Sequence, residues 1–414
     1  MRSACLALLA SCSTLLLIAC GGSSSSTTTT TPPPPTQVTL TVTGATPTAV
    51  ATQADGGSWS ALTFSGTTAT FTVPSATSNY AVAVLCPLPT ISPNQIETIF
   101  EASASDTTSP SVFCPPTSGI TMTVNFDLTA VGGTQAYLSV GSDLSGYWPG
   151  PVSAANVQNV VPGTQDVGLA AYGPNQTTTS PLGVQIQRNV NVTGAPLTLP
   201  AMTAADQAGS ATIALNSVPS GFSSQITAYY NTPGGATILI NGTGVASYAL
   251  VAAADTASGD YYSVQGLASN GTTSAVETVQ SFTSGQNVTL TLPGAFSYAG
   301  PTPAANPTFT ASYSGFTGTG KTAWVADLQW PSSASNSNVI LVYATSTFLG
   351  SNPIAVPDLS SVSGFLAPAT SGTTVDWSLV AVQQSSYYVP FFTNAIPASA
   401  TAQYSVAAGT YVEP

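Results

Sequence analysis

The sequence predicts an all-β protein built from tandem small β-sandwich modules. Apolar and polar residues alternate through much of the chain, and no segment has a convincing amphipathic helical pattern. "QVTLTVTG" (37–44), "TATFTVP" (68–74) and "YAVAVLC" (80–86) alternate with a period of two, which is typical of half-buried strands. Gly, Pro, Asn and Ser interrupt the pattern about every 8–12 residues, the strand spacing of sandwiches and barrels.

The strand patterns also recur as a larger unit. "YAVAVLC" (80–86) is echoed by "DVGLAAYG" (166–173) and "YALVAAAD" (248–255), and "LTLP" occurs at 197–200 and 290–293. The intervals of roughly 80–95 residues fit one seven-strand sandwich each. Chance recurrence of simple apolar patterns is the alternative.

These patterns give a map of the whole chain. We predict a signal peptide at 1–19, a tether at 20–36, β-sandwich modules at 37–116, 117–201 and 202–294, a Pro/Ala-rich linker at 295–307 and a C-terminal β module at 308–414. The last module is longer and less like the others, so we expect it to be the most independent part of the chain.

The first residues have the layout of a secretory signal. Arg2 precedes an apolar stretch at 6–19, which is too short to span a bilayer as a mature helix. The stretch ends in "LIAC" (17–20), which resembles the lipobox of bacterial lipoproteins. That resemblance implies cleavage before Cys20 and attachment of a diacylglycerol to its thiol, so that the membrane is a partner through a lipid anchor. An ordinary signal peptide with a chance cysteine is the alternative.

The segment after Cys20 suits an anchored protein. "GGSSSSTTTTTPPPP" (21–35) has nothing to bury and is typical of a linker, flexible at its Gly/Ser end and stiff at its Pro end. Gly21 stands where many lipoproteins retained in the inner membrane have Asp. The lipoprotein resemblance therefore implies an exported protein anchored in the cell envelope at the outer membrane.

Two further resemblances concern the modules. The unit at 161–200, "VPGTQDVGLAAYG…VQIQRNVNVTGAPLTLP", resembles the carboxypeptidase-regulatory-like and immunoglobulin-like modules of extracytoplasmic bacterial proteins. The order of blocks, from a first module with Trp59 to "VPDLSSVSGF" (356–365), resembles a group of uncharacterised bacterial lipoproteins. This similarity implies the architecture and carries no activity.

The composition excludes some partners. Charged residues make up 4% of the chain, the net charge is −12, and past the signal only Arg188 and Lys321 are basic. Ordinary globular proteins have about 25% charged residues. With so few cations the chain has no surface for a phosphate backbone, and we expect no nucleic-acid partner. Its 43% hydrophobic residues are enough to form real cores.

Cysteine usage agrees with export. Cys86 and Cys114 are an even pair in the mature chain, and in an oxidising compartment we expect them to form a disulfide. A metal site is the alternative, but it lacks ligands because the sequence has no histidine. We predict no metal and no cofactor.

"GFTGTGKT" (315–322) matches the nucleotide-binding pattern G-x-x-x-x-G-K-[ST]. A phosphate loop needs a helix after the lysine. Instead, Trp324, Leu328 and Trp330 alternate up to Pro331, which is typical of a strand. We therefore predict a glycine-rich turn in which Lys321 is only a solvated charge, and no nucleotide partner.

Catalysis is also disfavoured by residue types. Without histidine the chain cannot form a Ser-His-Asp or Cys-His arrangement. A glycosidase needs only two carboxylates, and the candidates, which lie in segments typical of turns, are Asp255, Asp260, Asp327, Asp358 and Asp376. Asp255 and Asp260 could also hold calcium, although a solvated turn fits their surroundings better. We predict that the chain is not an enzyme.

Aromatic clusters are the better candidates for binding. Neighbouring residues of a strand point to opposite faces, so one aromatic of each pair should face outward unless another module covers it. Exposed Tyr and Trp suit sugars or protein partners. The candidates are Tyr147, Trp148, Tyr261, Tyr262, Tyr387 and Tyr388. We predict a non-catalytic envelope protein with a structural, adhesive or ligand-binding role; the alternative is a glycan-binding or glycan-cleaving lipoprotein.

Overall fold

The computed structural model describes residues 33–88, 94–141, 144–148, 150, 153–174, 179–242, 244–271, 273–310, 312–333, 336–385 and 399–414. Within these ranges the chain forms 27 β-strands, one short α-helix, α1 (Ser346–Leu349), and two 3-10 helices (Thr129–Val131 and Ala204–Asp206). The all-β prediction is confirmed. No helix in the described ranges is long and apolar enough to cross a membrane.

The first 21 strands form three successive sets of seven. The first set contains β1 (Thr36–Gly44), β2 (Ala49–Ala54), β3 (Ser60–Ala61), β4 (Thr68–Val73), β5 (Asn79–Leu85), β6 (Asn94–Ser103) and β7 (Ser111–Cys114). The second contains β8 (Ile120–Asn125), β9 (Gln135–Val140), β10 (Leu144–Trp148), β11 (Ala154–Val160), β12 (Gly163–Tyr172), β13 (Gly183–Val192) and β14 (Leu197–Thr198). The third contains β15 (Gly209–Asn216), β16 (Ser223–Asn231), β17 (Thr237–Leu239), β18 (Ser247–Leu250), β19 (Tyr261–Ser269), β20 (Ser274–Phe282) and β21 (Val288–Thr291).

The three sets share one topology. In each, the first strand pairs antiparallel with the fourth and parallel with the seventh, which makes a three-stranded sheet. The third, second, fifth and sixth strands pair in that order in a second, antiparallel sheet. Residues Pro34–Pro414 form one compact unit. The module limits predicted from the sequence, 37–116, 117–201 and 202–294, therefore stay a prediction.

The C-terminal strands join the first and third sets. They are β22 (Thr308–Phe309), β23 (Lys321–Pro331), β24 (Ser337–Thr345), β25 (Ile354–Ala355), β26 (Thr374–Gln384) and β27 (Thr401–Val412). β27 pairs antiparallel with β20 and β24 pairs parallel with β6. One twelve-stranded sheet results, in the order β17-β16-β19-β20-β27-β26-β23-β24-β6-β5-β2-β3. The C-terminal segment is therefore not the most independent part of the chain, because it is hydrogen-bonded on both sides.

Strands inside this sheet are buried on both faces. In β5, Val82 and Val84 pack into a core shared with β1, whereas Ala83 packs into the core under the C-terminal loops. β5 therefore has small and β-branched apolar side chains on both faces. A strand with one face in solvent would instead alternate apolar with polar side chains.

The second set packs against the third through closely spaced backbones. Gly168 of β12 lies against Ile238 of β17, and a Cβ at Gly168 would come within 2.2 Å of the Cγ1 atom of Ile238. The Tyr172 hydroxyl donates a hydrogen bond to the Leu239 carbonyl at 2.8 Å. Tyr172 and Ile238 are fully buried in one core. Glycine at position 168 is what allows the two strands to approach.

Candidate functional site

Cys86 and Cys114 form the predicted disulfide. Cys86 follows β5 and Cys114 ends β7, so the bond joins the two sheets of the first set. Both cysteines are buried in the core between these sheets. Cys20 lies outside the described residues, and its lipidation stays a prediction.

Tyr261 and Tyr262 are both covered, which is the exception allowed in the prediction that one aromatic of each pair faces outward. Both belong to β19 and are 8% and 4% exposed. β19 lies between β16 and β20, and the ring of Tyr262 packs edge-on against Tyr230 and stacks on Phe282, with centroid distances of 4.9 and 5.6 Å. The neighbouring elements cover both faces, so this pair stabilises a core.

The other aromatic candidates are only partly described. Trp148 is half-buried and packs against the core of the second set. The backbone of Tyr147 lies in β10, but its side chain is outside the described part of the structure. Tyr387 and Tyr388 fall in the segment between β26 and β27 that the structure does not describe. As ligand-binding residues these positions stay predictions.

Asp260 is not in a solvated turn, because it is 5% exposed and binds Arg188 of β13. Arg188 also donates to the Asp166 carboxylate at 3.1 Å and to the Asp255 carbonyl at 2.8 Å. The Tyr230 hydroxyl donates to Asp260 at 2.7 Å. The guanidinium group therefore occupies the position between these acids that a calcium ion would require, and the calcium hypothesis has no support here.

The nucleotide-like pattern ends in a strand. β23 begins at Lys321 and pairs along its length with β26 and β24. Trp330 is buried and Trp324 half-buried, so the predicted extended segment is confirmed.

Close backbone packing explains a glycine of this pattern. A Cβ atom on Gly320 would lie 2.3 Å from the Gln384 carbonyl oxygen of β26. Gly320 is thus required by the approach of two backbones, which is one of the ordinary uses of glycine in sheets. The geometry that a phosphate loop needs, with the lysine at the start of a helix, does not occur at Lys321.

A cleft of about 300 Å³ opens beside the C-terminal strands. Its floor is formed by residues of the twelve-stranded sheet, and its wall by the irregular chain between β25 and β26. The floor includes Glu97, Leu328, Trp330, Ile340, Val375 and Tyr411, and the wall includes Val356, Leu359, Val362, Phe365 and Leu366; Glu413 and Asp358 also line the cleft. We call this space the C-terminal cleft.

Two buried acids reach the C-terminal cleft. Glu97 is 2% exposed and Glu413 is 6% exposed. The backbone N–H of Leu366 donates to Oε2 of Glu97 at 2.8 Å. Among the described residues no other hydrogen bond and no ion pair reaches either carboxyl group. A buried carboxylate with few hydrogen bonds is costly in its ionised form.

Burial shifts both acids toward the neutral form. Burial raises the pKa of Glu97 to about 7, although the Leu366 hydrogen bond acts in the opposite direction. Burial also raises the pKa of Glu413. Burial and then the charge of Glu413 raise the pKa of Tyr411 to about 12. Asp358 is exposed, and its hydrogen bonds with Ser360 lower its pKa.

Of the carboxylates predicted from sequence, only Asp358 lines the C-terminal cleft. Asp327 alternates with Ala326 and Leu328, which pack on the cleft side of β23, so it faces the opposite side of the sheet. Its pKa is raised to about 6 by burial and by the nearby charge of Asp376 on β26. Asp327 and Asp376 are thus neighbours on the face of the sheet opposite the cleft.

Sequence reasoning missed Glu97 and Glu413. A signal for Glu97 exists in "NQIETIFEAS", where Glu97 and Glu101 flank Ile99 on one side of an otherwise apolar strand. Acids at the inward positions of a buried strand indicate either an ion pair or a polar site. Glu413 has no comparable signal, since it follows the last strand near the end of the sequence.

The C-terminal cleft has the composition of a binding site. Its walls are mostly apolar, with a few converging polar groups, and its volume is at the lower end of the roughly 300–1,000 Å³ of small-molecule sites. Two carboxyl groups and the aromatic residues Trp330, Phe365 and Tyr411 can recognise a molecule by charge, hydrogen bonds and ring contacts.

Comparison with known proteins gives distant structural likenesses. No protein-family model matches the chain, and no curated protein matches it. A streptococcal ancillary pilin is similar over 63% of this chain and 98% of its own, with 12% identity and a TM-score of 0.13. The pilus adhesin SpaC from Lactobacillus rhamnosus GG, in its open conformation, is similar over 79% of this chain and 44% of its own, with 12% identity and a TM-score of 0.14. At these scores the likenesses carry no argument about function.

Proposed function

We propose that this chain is a non-catalytic lipoprotein of the bacterial cell envelope with a structural, adhesive or ligand-capturing role. The observation that carries the proposal is the twelve-stranded sheet, in which C-terminal strands join the first and third sets. Continuous pairing of this kind makes one stiff body, as a scaffold or a presented binding surface requires.

The attachment of this body to a membrane is part of the proposal. The lipobox-like "LIAC" (17–20) would place a lipid on Cys20, and the 21–35 segment would be the tether. The Cys86–Cys114 disulfide agrees with an oxidising compartment outside the cytoplasm. Gly21 favours the outer membrane where the cell has two membranes.

The surface chemistry agrees with this location. With charged residues at 4% of the chain, the exposed side chains are mainly Ser, Thr, Asn, Gln and Gly. Such a surface attracts neither nucleic acid nor nucleotide strongly. Its partners are instead expected to be recognised by hydrogen bonds and aromatic contacts, as glycans and other envelope proteins are.

The test is the substitution Cys20→Ala in the full-length protein expressed in a bacterial host. We expect the variant to lose incorporation of labelled fatty acid and to move from the detergent phase to the aqueous phase on partitioning. Cys12→Ala is the matched control, because it removes a cysteine from the predicted signal upstream of the cleavage point. Fatty-acid incorporation that persists in Cys20→Ala contradicts the lipoprotein proposal.

The role is tested separately on intact cells. External protease and antibody accessibility distinguishes a surface-facing protein from a periplasmic one. A glycan array and a whole-cell pull-down then distinguish an adhesive or ligand-binding role from a purely structural one. Turnover of any offered glycan by the purified protein would contradict the non-catalytic part of the proposal.

A further inference from the structure

A second pocket, of about 220 Å³, lies on the twelve-stranded sheet between β21 and the glycine-rich segment 315–320. Its lining contains four glutamines and five threonines and, among the described residues, no charged side chain. We propose that this space, which we call the glutamine pocket, binds one neutral sugar ring of a glycan. The inference rests on the ligand-capturing role proposed above and names the chemical class of the ligand.

Three strands of the large sheet form the floor of the glutamine pocket. Thr278 of β20 and Gln383 of β26 both stand directly opposite Gln403 of β27. Gln280 stands opposite Thr401 in the same pair of strands, two residues along. Residues that are directly opposite in neighbouring antiparallel strands project from the same face of a sheet. These amide and hydroxyl groups therefore form one polar patch.

Gln403 fixes the walls of the pocket relative to its floor. Its Nε2 atom donates to the Thr291 carbonyl of β21 at 2.9 Å and to the Thr317 hydroxyl of the glycine-rich segment at 2.6 Å. Its Oε1 atom accepts from the Thr317 backbone N–H at 2.9 Å. The Thr278 hydroxyl donates to the same Thr291 carbonyl at 2.7 Å. Both walls are thus held in place before a ligand arrives, which lowers the entropy cost of binding.

Two other glutamine side chains can bind a ligand. Gln280 and Gln383 are half-buried in the lining, and neither side-chain amide makes a hydrogen bond to another residue that the structure describes. Each amide offers two N–H donors and a carbonyl acceptor. Thr289, Thr319 and Thr401 are exposed at the rim and add hydroxyl groups. The pocket is therefore open to solvent and presents donors and acceptors that the fold does not use.

The chemistry of the lining selects a neutral ligand with many hydroxyl groups. An ion would lose hydration without meeting an opposite charge in the described lining. An apolar ligand would cover the amides of Gln280 and Gln383 and leave them without hydrogen-bond partners. Sugar hydroxyls both donate and accept, so they can replace water at amides and threonines alike. The volume is below the roughly 300–1,000 Å³ of drug-sized sites, which suits one ring rather than a whole oligosaccharide.

The experiment uses the full-length protein in micelles of a detergent without a sugar headgroup. The probes are methyl β-glucoside, methyl β-galactoside and methyl α-mannoside, three neutral rings that differ in the orientation of their hydroxyl groups. Saturation-transfer difference NMR detects binding, and titration gives the affinity. We expect at least one probe to bind with a Kd of about 1–10 mM. It should bind at least about tenfold more tightly than methyl β-glucuronide, the ionised analogue.

Substitutions locate the site. Gln280→Ala and Gln383→Ala should each weaken binding of the best probe about threefold to tenfold, the effect of losing one hydrogen bond. Gly318→Ala should weaken it as well, because the new Cβ atom would lie 3.1 Å from Oε1 of Gln383. Gln329→Ala is the matched control, since Gln329 is a half-buried glutamine of β23 that does not line the pocket. Circular dichroism establishes that each variant is folded.

Three outcomes overturn the inference. They are no binding of any of the three probes up to tens of millimolar, equal affinity for methyl β-glucuronide, and binding that is unchanged in both Gln280→Ala and Gln383→Ala. Fatty-acid labelling of the same preparation separates this inference from the proposed anchor. A lipidated protein that does not bind the probes contradicts the glutamine pocket alone, whereas an unlipidated protein that binds them contradicts the lipoprotein proposal alone.

Discussion

The guanidinium group of Arg188 donates to both carboxylate oxygens of Asp260, at 2.9 Å to Oδ1 and 2.6 Å to Oδ2. Arg188 belongs to the second set of strands, and Asp260 immediately precedes the third set's β19. This bidentate contact, extended by the salt bridge to Asp166, is therefore an ionic link between two sets that also meet through apolar packing and through hydrogen bonds such as that from the Tyr172 hydroxyl to the Leu239 carbonyl.

We expect Arg188→Met to lower the free energy of unfolding by about 3–5 kcal/mol, because it leaves Asp166 and Asp260 buried without their cation. Chemical denaturation followed by tryptophan fluorescence measures the loss. The triple variant Arg188→Met/Asp166→Asn/Asp260→Asn should recover part of it, since the buried charges are then removed as well. A loss below about 1 kcal/mol for Arg188→Met would mean that water solvates the Asp166 and Asp260 carboxylates about as well as the guanidinium group does.

Stability should fall as the pH rises from 5 to 8. Burial raises the pKa of Glu97 to about 7, of Glu101 to about 8 and of Glu277 to about 7, all above the ordinary value of 4.5. A group whose pKa is higher in the folded state contributes stability that is complete below its unfolded pKa and lost as the pH rises through the folded pKa. Each such group contributes a slope of up to about 1.4 kcal/mol per pH unit in that window.

Thermal unfolding between pH 4.5 and 8.5 measures this dependence. Glu101→Gln should flatten the curve, because glutamine does not ionise. Asp358→Asn is the control, since Asp358 is exposed and its pKa is lowered rather than raised. A melting temperature that climbs steadily toward pH 8 in the wild type would contradict the sign of the effect.

The disulfide should contribute substantially to stability. Cys86 and Cys114 are 28 residues apart in the sequence, and closing a loop of that length stabilises the folded state by about 3–4 kcal/mol on the chain-entropy model. Cys86→Ala/Cys114→Ala should lose about that amount in urea unfolding. Non-reducing mass spectrometry of the wild-type protein should find the two cysteines in one linked peptide pair; two free thiols would show that the bond does not form in the envelope.

Folding stability should be sensitive to substitution at position 320 and insensitive to substitution at position 321. Gly320→Ala places a Cβ against the Gln384 carbonyl oxygen and should cost about 1–3 kcal/mol through displacement of β23 from β26. Lys321→Ala changes an exposed side chain and should alter stability by no more than about 0.5 kcal/mol. Thermal shift with Mg-ATP is the accompanying measurement. A shift that requires Lys321 would restore the nucleotide-binding hypothesis.

Alternation and turn residues predicted several strands, because alternating side chains record the period of two in the strand's own residues. The segments 37–44, 68–74 and 80–86 fall on β1, β4 and β5. The recurrence of "LTLP" has a physical basis, since Leu197 and Leu290 both lie on the seventh strand of a set, which pairs parallel to the first.

The order of strands in the large sheet could not be predicted from the pattern of apolar and polar residues. Nothing in β24 or β27 specifies that they pair with β6 and β20, because backbone hydrogen bonds are the same for any partner and side chains select it only through packing. Whether Tyr261 and Tyr262 are covered was left open for the same reason, since the pattern of one strand does not show what packs on it. Glu97 and Glu413 line one cleft only once the whole sheet is assembled.

The parallel pairing of β24 with β6 has a consequence for how the protein is made. About 240 residues separate the paired segments, and contacts so distant along the chain form late and slowly. Synthesis runs from the N-terminus, so the first set is complete while the backbone groups of β6 still lack a neighbour on one side. An unpaired apolar edge of this kind invites association with other nascent chains. We therefore expect β6 to be prone to association until the segment that contains β24 is available to pair with it.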